Sequence, residues 1–359
     1  MLKRYMQNRE RHLAMLNDNR SKQEFGWGTE FVVGDANGSD PRKALTEFSN
    51  RVVANSDEFF ALATEPEFNL EKRLYPSSGS LSAEELRTPV EQIEVPILSW
   101  QSGLETISPA NNTAVAAYFP HEEKRAAVVI LPHWNAKAGT YFDLAKFFNK
   151  VGLSALRLTM PYHEERRPPE LERADHLVSP NVGRSLQSIR QAVLDTRACV
   201  RWLKEQGYEK VGIVGTSIGS CVAFLSYVHD ARIDAAVFNH VSGYMADVVW
   251  HGLSTYHVRE GFGDNITLDE LRRYWLPVSP MAYMDKLAAQ DARPTRYIYT
   301  KYDLSFPLDL SLDVFRELRR RNIPHSEVSI PCGHYTLGEK PWNYIDGYKI
   351  ISFLRKHLK

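Results

Sequence analysis

Apolar positions change their spacing along this chain, and each change marks a different kind of element. In residues 41–64 (PRKALTEFSNRVVANSDEFFALAT), Phe48, Val52, Phe59 and Phe60 fall near one face of a helix, and residues 1–20 read as a charged, weakly amphipathic helix before it. From residue 90 the apolar residues gather into short runs rich in β-branched side chains. VEQIEVPILSW (90–100) and TAVAAYFP (113–120) predict two neighbouring antiparallel strands, while AAVVILP (126–132) is a continuous apolar run that predicts a strand buried on both faces.

Beyond that point strands and helices alternate. TYFDLAKFFNKV (140–151) predicts an amphipathic helix closed by Gly152, and LSALRLT (153–159) the next strand. After a loop rich in proline and charge, a long helix is predicted from the stripe Leu186, Ile189, Val193, Val200 and Leu203, ending at Gly207. KVGIV (210–214), DAAVFNHV (234–241), TRYIYT (295–300) and SEVSI (326–330) predict four further strands, with helices over 311–321 and from about Trp342 to His357. Alternation of near-continuous apolar strands with helices predicts an α/β fold: a mostly parallel central sheet with helices on both faces.

Two stretches stand outside that alternation. The turn-rich YPSSGSLSAEELR contains a capping-box start, Ser82 to Glu85, and sets a boundary near residue 85. Residues 1–85 are accordingly read as an N-terminal helical extension and 86–359 as the main domain. The connection over about 243–288 is too long for a simple crossover and carries Trp250, Tyr256, Phe262, Tyr274 and Trp275. It is read as a small helical cap that sets substrate size and excludes water. The charge run HEERRPPELERAD (163–175) is read as a solvated loop.

In an open parallel sheet, reactive groups collect at the carboxyl ends of the strands. Ser217 follows strand 210–214 within GTSIG, Asp303 follows 295–300, and His334 follows 326–330. A serine hydroxyl is a weak nucleophile until a base takes its proton, and a histidine serves best when a carboxylate orients its ring. The order Ser217, Asp303, His334 is the one expected when the serine stands on a G-x-S-x-G strand-to-helix elbow, where Gly215 and Gly219 relieve backbone crowding. Asp309 and Asp247 are the fallback acids. The Ile218 N–H is one expected oxyanion donor, and the second comes from the loop after strand 126–132, with the Asn135 N–H favoured and Trp134 the alternative. His133, His163 and His240 also fall at strand ends; with Trp250 and Trp275 they are candidates to line a substrate pocket, with a hydrogen-bonded packing role the alternative for His163 and His240 and the holding of its own loop preferred for His133.

Composition acts mainly by exclusion. Lys plus Arg and Asp plus Glu both number 44, so no bulk field draws the protein to nucleic acid or anionic lipid. The three cysteines, Cys199, Cys221 and Cys332, lie far apart with no CxxC pair, which predicts neither a disulfide framework nor a structural zinc site. The N-terminus lacks an apolar signal core and no run has the length of a membrane span, so a cytoplasmic protein with no integral membrane segment is expected.

VGIVGTSIGS, YTKYDLSFP, PCGHYT and the VVILPHW loop together resemble the α/β-hydrolase superfamily over roughly residues 90–359. LTMPYHEERRP and SPNVGRSLQSIRQAVLDTR further resemble the bacterial side of its abhydrolase 18 branch. The chain departs from the superfamily pattern in having HisTrp where HisGly is usual at the oxyanion loop, and in its N-terminal helices. The resemblance implies a serine hydrolase that acts on carboxylic esters, a carboxylesterase or lipase-like deacylase, with no cofactor and no metal. The expected substrate is a small-molecule or lipid ester. A peptidase or thioesterase on the same three residues is the alternative within enzymes, and a ligand-binding homologue without chemistry is the alternative from another class. The N-terminal helices are candidates to cover the core, extend the cap or mediate a homo-oligomer.

Overall fold

The computed structural model describes residues 2–16, 18–34, 40–63, 65–77, 91–123 and 125–359. The Ser82–Glu85 capping box and the boundary near residue 85 lie outside them. The chain opens with α1 (Leu2–Met15), whose buried residues Met6, Glu10 and Ala14 recur every four positions. α2 (Pro41–Ala54) begins at Asp40, whose carboxylate accepts the Arg42 N–H, with Pro41 at the first helical position. The helix expected over 41–64 breaks at Asn55 and resumes as the short α3 (Ser56–Phe59). Phe59 and Phe60, consecutive residues that an unbroken helix would splay by about 100°, are both buried because the helix stops there.

β1 (Asn69–Pro76) is a strand that the apolar pattern does not predict. It is exposed along most of its length, so its residues show no alternation, and antiparallel pairing with β2 (Gln92–Gln101), from Asn69 opposite Ser99 to Pro76 opposite Gln92, defines it. The strands and helices that follow match the alternation read from sequence: β3 (Thr113–Phe119), β4 (Ala126–Leu131), α4 (Phe142–Lys150), β5 (Ser154–Thr159), α5 (Val182–Glu205), β6 (Lys210–Thr216), α6 (Ile218–His229) and β7 (Ala235–Asn239). The long connection after β7 is helical, as expected, with α7 (Met245–His251), α8 (Tyr256–Phe262), α9 (Leu268–Tyr274) and α10 (Met284–Ala288). β8 (Thr295–Thr300), α11 (Leu308–Arg320), β9 (Ser326–Ile330) and α12 (Trp342–Leu358) complete the chain.

The chain forms two units, and it passes between them within β7, α5 and α12. One comprises Ala61–Ala174, Gln191–Val237 and Ile350–Lys359; its strands run β1-β2-β3-β5-β4-β6, ending with the start of β7. β1, β2, β3 and β5 pair antiparallel in turn, whereas β4 pairs parallel with both β5 and β6. Every residue of β4 and β5 is buried, which accounts for the unbroken apolar run of β4; in β5 the buried Arg157 is matched by Glu164 at 2.6 Å. Because the chain leaves β4 toward β5 on one side while β6 lies on the other, the loops after β4 and β6 lead away in opposite directions, which makes this the topological switch point of the sheet. The other unit comprises Met1–Phe60, Asp175–Arg190 and Phe238–Lys349, with β8 and β9 parallel beside the end of β7.

The stretch 163–175 begins inside the protein, contrary to its reading as a solvated loop. Arg166 is wholly buried, its guanidinium 2.8 Å from Asp195 of α5 and donating also to the Thr159 and Asn111 carbonyls. Asp195 accepts a second hydrogen bond from Ser102 Oγ at 2.7 Å. The charge run is therefore a strap whose first residues pin the β5–α5 connection, because an interior charge must be matched by partners. Among the described residues no helix is long and apolar enough to cross a membrane, and all three cysteines are free thiols. Asp195→Ala strands the Arg166 charge in the interior; urea denaturation is expected to show a loss of about 3–5 kcal/mol in unfolding free energy.

Candidate active site

Ser217 stands between β6 and α6 with φ 58° and ψ −123°, a backbone conformation that L residues rarely adopt. A serine at a helix N-cap ordinarily turns its hydroxyl onto the first helical N–H groups; here the left-handed φ swings it away, and Ser217 makes no side-chain cap. Its carbonyl instead accepts Ser220 N–H and Oγ–H at 2.8 and 2.7 Å, which closes the first turn of α6. The two glycines are required by sterics. A Cβ at Gly215 would overlap the Gly219 carbonyl, and one at Gly219 would overlap the Leu131 and Pro132 carbonyls. That close approach sets the elbow beside the loop that leaves β4, at the topological switch point, with the Ile218 N–H at the start of a 12-residue helix.

The loop after β4 is tied down at three consecutive residues, 133–135. His133 Nδ1 lies 2.8 Å from Tyr141 Oη, a contact that suits the loop-holding role. Trp134 donates its indole N–H to the Ala174 carbonyl at 2.9 Å, and Asn135 Oδ1 accepts the Ala174 N–H at 2.8 Å. The Asn135 N–H, favoured from sequence as an oxyanion donor, is already directed to His163 Nε2 at 2.8 Å. His163 is 2% exposed and its Nδ1 lies 2.9 Å from the Pro161 carbonyl, so this ring latches the loop instead of lining a pocket. Those partners define the tautomer: Nδ1–H donates and Nε2 accepts. Burial, opposed only by the Pro161 hydrogen bond and assisted by the nearby Arg157, His133 and Arg166 charges, pushes the His163 pKa down to about 3.

In the other unit, the turns after β7, β8 and β9 bring His240, Asp303 and His334 together. Asp303 is 5% exposed. Its Oδ1 accepts the Ser305 and Phe306 N–H groups at 2.8 and 2.7 Å, and its Oδ2 accepts Thr300 Oγ1 at 3.0 Å and His334 Nδ1 at 3.1 Å. His240, with φ 59°, places its own Nδ1 2.9 Å from the same Oδ2, and its ring centre 4.2 Å from that of His334. Burial alone would raise the Asp303 pKa, yet the His334 charge, the His240 imidazole beside the same oxygen and the His334 hydrogen bond hold it far below the usual carboxylate range. Burial opposes protonation of His334 as well, but the Asp303 charge and hydrogen bond, with a smaller contribution from Glu10, raise its pKa above the ordinary value. His240 is shifted the other way, lowered by burial and by His334 despite its contact with Asp303.

An imidazole whose Nδ1 is engaged by a carboxylate presents Nε2 as its proton acceptor, and the carboxylate steadies the imidazolium that results. The two fallback acids are placed otherwise: Asp247 pairs with Arg272 at 2.6 Å, and Asp309 lies exposed in the first turn of α11. Among the described residues, His240, Asp303 and His334 are also the group whose ligand atoms, all within 4.8 Å, come nearest to a metal-binding arrangement. Both Nδ1 atoms of that group already face the Asp303 carboxylate.

Of the two tryptophans expected in a pocket, Trp275 is wholly buried, donating its indole N–H to the Val182 carbonyl at 3.0 Å, and belongs to the core. Trp250 is partly exposed, with the Arg259 guanidinium 3.7 Å above its ring. His240 was expected to line a pocket, and its place against Asp303 had no signal in sequence, since nothing local ties residue 240 to residue 303. The latch role of His163 was equally hidden, because its partners are backbone groups.

No protein-family model matches the chain and no curated protein matches it. Solved structures do. An acylaminoacyl peptidase of Pyrococcus horikoshii is 14% identical, with a TM-score of 0.56 over 85% of this chain and 43% of that one. Acetyl xylan esterase 1 from a Thermoanaerobacterium species is 13% identical, with a TM-score of 0.58 over 88% of this chain and 94% of that one. A puromycin-hydrolyzing peptidase of Mycobacterium tuberculosis is 12% identical, with a TM-score of 0.52 over 80% of this chain and 46% of that one. The chain thus spans less than half the length of the two peptidases.

Acid is expected to test the His163 latch. Because the folded state holds the ring neutral, its contribution is intact above the unfolded pKa near 6.5 and is lost as pH falls from there toward about 3, at up to about 1.4 kcal/mol per pH unit. Urea melts at pH 7.5 and 5.5 should show a smaller acid-induced loss in His163→Gln than in the wild type. With an elbow and a β4 loop at the switch point, and an Asp-His pair after the later strands, the structural likeness identifies the chain's architecture as the α/β-hydrolase fold.

Proposed function

We propose that the protein is a serine hydrolase that cleaves carboxylic esters through an acyl-enzyme on Ser217. The observation that carries this reading is the His334–Asp303 pair: a buried, ionised carboxylate on Nδ1 of a histidine whose pKa it raises has a clear chemical use, which is to take and return a proton. The strained elbow supports it, since a serine held at positive φ with its hydroxyl turned from the helix cap matches the geometry of a presented nucleophile.

In this mechanism Ser217 Oγ attacks the ester carbonyl and its proton passes to His334 Nε2. Asp303 keeps the ring in the required tautomer and stabilises the imidazolium. The Ile218 N–H receives the developing oxyanion, and the Trp134 N–H becomes the preferred second donor, because the Asn135 N–H is engaged by His163. The alcohol departs with the proton from His334; water, activated by the same ring, then attacks the acyl-enzyme and releases the acid.

The substrate class is proposed as a small-molecule or lipid ester, with the 243–288 helices as a cap and Trp250 as its exposed aromatic surface. Two of the three structural relatives named above are peptidases, so an amide-cleaving reading has support of its own.

A fluorophosphonate probe is expected to label the wild type at Ser217 and to leave Ser217→Ala unlabelled; equal labelling of both would refute the assignment. Asp303→Asn is expected to lower kcat on p-nitrophenyl acetate by about 10⁴-fold while the protein stays folded, because the amide selects the wrong histidine tautomer. Competition between p-nitrophenyl esters of rising chain length and acylaminoacyl p-nitroanilides separates the readings: turnover confined to the anilides would replace the esterase by a peptidase.

A further inference from the structure

The buried face of α1 contains an anomaly. Met6, Glu10 and Ala14 are its three buried residues, one per turn, so a carboxylate occupies the centre of an otherwise apolar stripe. Glu10 is completely removed from solvent. A buried carboxylate is tolerated only when donors replace its water, and its donors are specific: the Tyr335 N–H reaches Oε2 at 2.9 Å and the Thr336 N–H reaches Oε1 at 2.7 Å. These are the two peptide groups that immediately follow His334.

The rest of the turn is shaped around that carboxylate. A Cβ at Gly333 would overlap the Glu10 carboxyl group, so the residue before His334 is one that lets Glu10 approach the backbone. Gly333 N–H donates to Thr336 Oγ1 at 2.7 Å, closing the turn on itself. Contacts on either side of Glu10 hold the N-terminal segment in register: Arg9 Nε donates to Glu339 at 3.1 Å, and Arg20 donates to Tyr335 Oη at 2.9 Å and to the Ala14 carbonyl at 2.8 Å.

We propose that Glu10 is a positioning residue for His334: by accepting the Tyr335 and Thr336 N–H groups it sets the His334 turn and adds a fixed negative charge behind the ring, making α1 a working part of the hydrolytic site. The inference rests on the proposed serine hydrolase reading and assigns to the N-terminal helix a role that sequence left open among core cover, cap and dimer contact. Asp303 orients the ring from one side through Nδ1; Glu10 fixes the backbone from which the ring hangs. Two charge-assisted hydrogen bonds to adjacent peptide groups restrain both the position of the Cα and the direction of its side chain. The titratable groups that face His334 are Asp303 and His240 from the turns after β8 and β7, Glu10 from α1, and Tyr335 beside it.

The test is the rate of fluorophosphonate labelling of Ser217, and kcat on p-nitrophenyl acetate, from pH 5 to 9 in the full-length chain. Wild type is compared with Glu10→Gln, Gly333→Ala and Arg9→Ala. Glu10→Gln keeps the shape but sets an amide NH₂ against one peptide N–H and removes the charge; Gly333→Ala leaves Glu10 in the chain and displaces its carboxylate. Both are expected to lower labelling rate and kcat by about 10-fold, with the acid limb moved to lower pH, because a base that loses a neighbouring negative charge is less basic. Arg9→Ala removes a part-exposed contact of the same helix and is expected to stay within about two-fold of wild type, with its acid limb in place. If Glu10→Gln matches wild type, or loses rate with the acid limb unmoved, the positioning role is wrong. Should Glu10→Gln fail to fold, Gly333→Ala decides by the same two readouts. A wild type that is not labelled at all sinks the serine hydrolase reading first, a result distinct from labelled wild type with unchanged variants.

Discussion

Asp303 is a carboxylate almost entirely withdrawn from water, and the turns after three strands are organised by the need to keep it charged. Its four hydrogen bonds come from a threonine at the end of β8, two peptide groups of the turn that follows, and the histidine after β9; a second imidazole, after β7, lies within 2.9 Å. A single buried negative charge thereby holds three turns in register. Three of those donors fix the carboxylate, and the fourth, the His334 bond, both helps to satisfy it and orients the ring.

The same principle recurs wherever a loop must be definite. Glu10 gathers two peptide groups after His334, the Arg166–Asp195 pair pins the β5–α5 connection to the long helix, and the neutral ring of His163 fastens the loop after β4. Apolar burial shapes the strands and helices but is non-directional, and it leaves loops free to slide. Buried polar groups are directional and costly to leave unmatched, so they specify one loop conformation among many. At the elbow steric exclusion is added to this: Gly215 and Gly219 admit a close backbone approach that a Cβ would block, while the Ser220 hydroxyl holds the Ser217 carbonyl.

At 12–14% identity, the likeness to an acylaminoacyl peptidase, an acetyl xylan esterase and a puromycin-hydrolyzing peptidase is a likeness of architecture. That architecture hosts several acyl-transfer chemistries. The proposed reaction rests instead on the strained Ser217 elbow and on the Asp303–His334 pair. Trp275, whose indole N–H is spent on the Val182 carbonyl, is withdrawn into the core, while Trp250 is still part of the surface.

From sequence alone, strand runs such as AAVVILP and KVGIV, the glycine-flanked Ser217, and the order of Ser217, Asp303 and His334 were legible, because each is a local pattern: periodicity, turn chemistry, or a residue type placed just past a strand. The edge strand β1 was not, since a solvent-exposed strand needs no alternation and is defined by its partner β2. Nor were the reach of Glu10 to the His334 turn, the convergence of His240 on Asp303, or the diversion of the Asn135 N–H to His163. Those contacts join residues 28 to 325 positions apart, or use backbone groups that every residue carries, so no local pattern encodes them. Sequence determined the elements and the chemical inventory. Only the tertiary structure decided which buried charge meets which donor, because that matching depends on desolvation, and a group is desolvated only once the chain has folded around it.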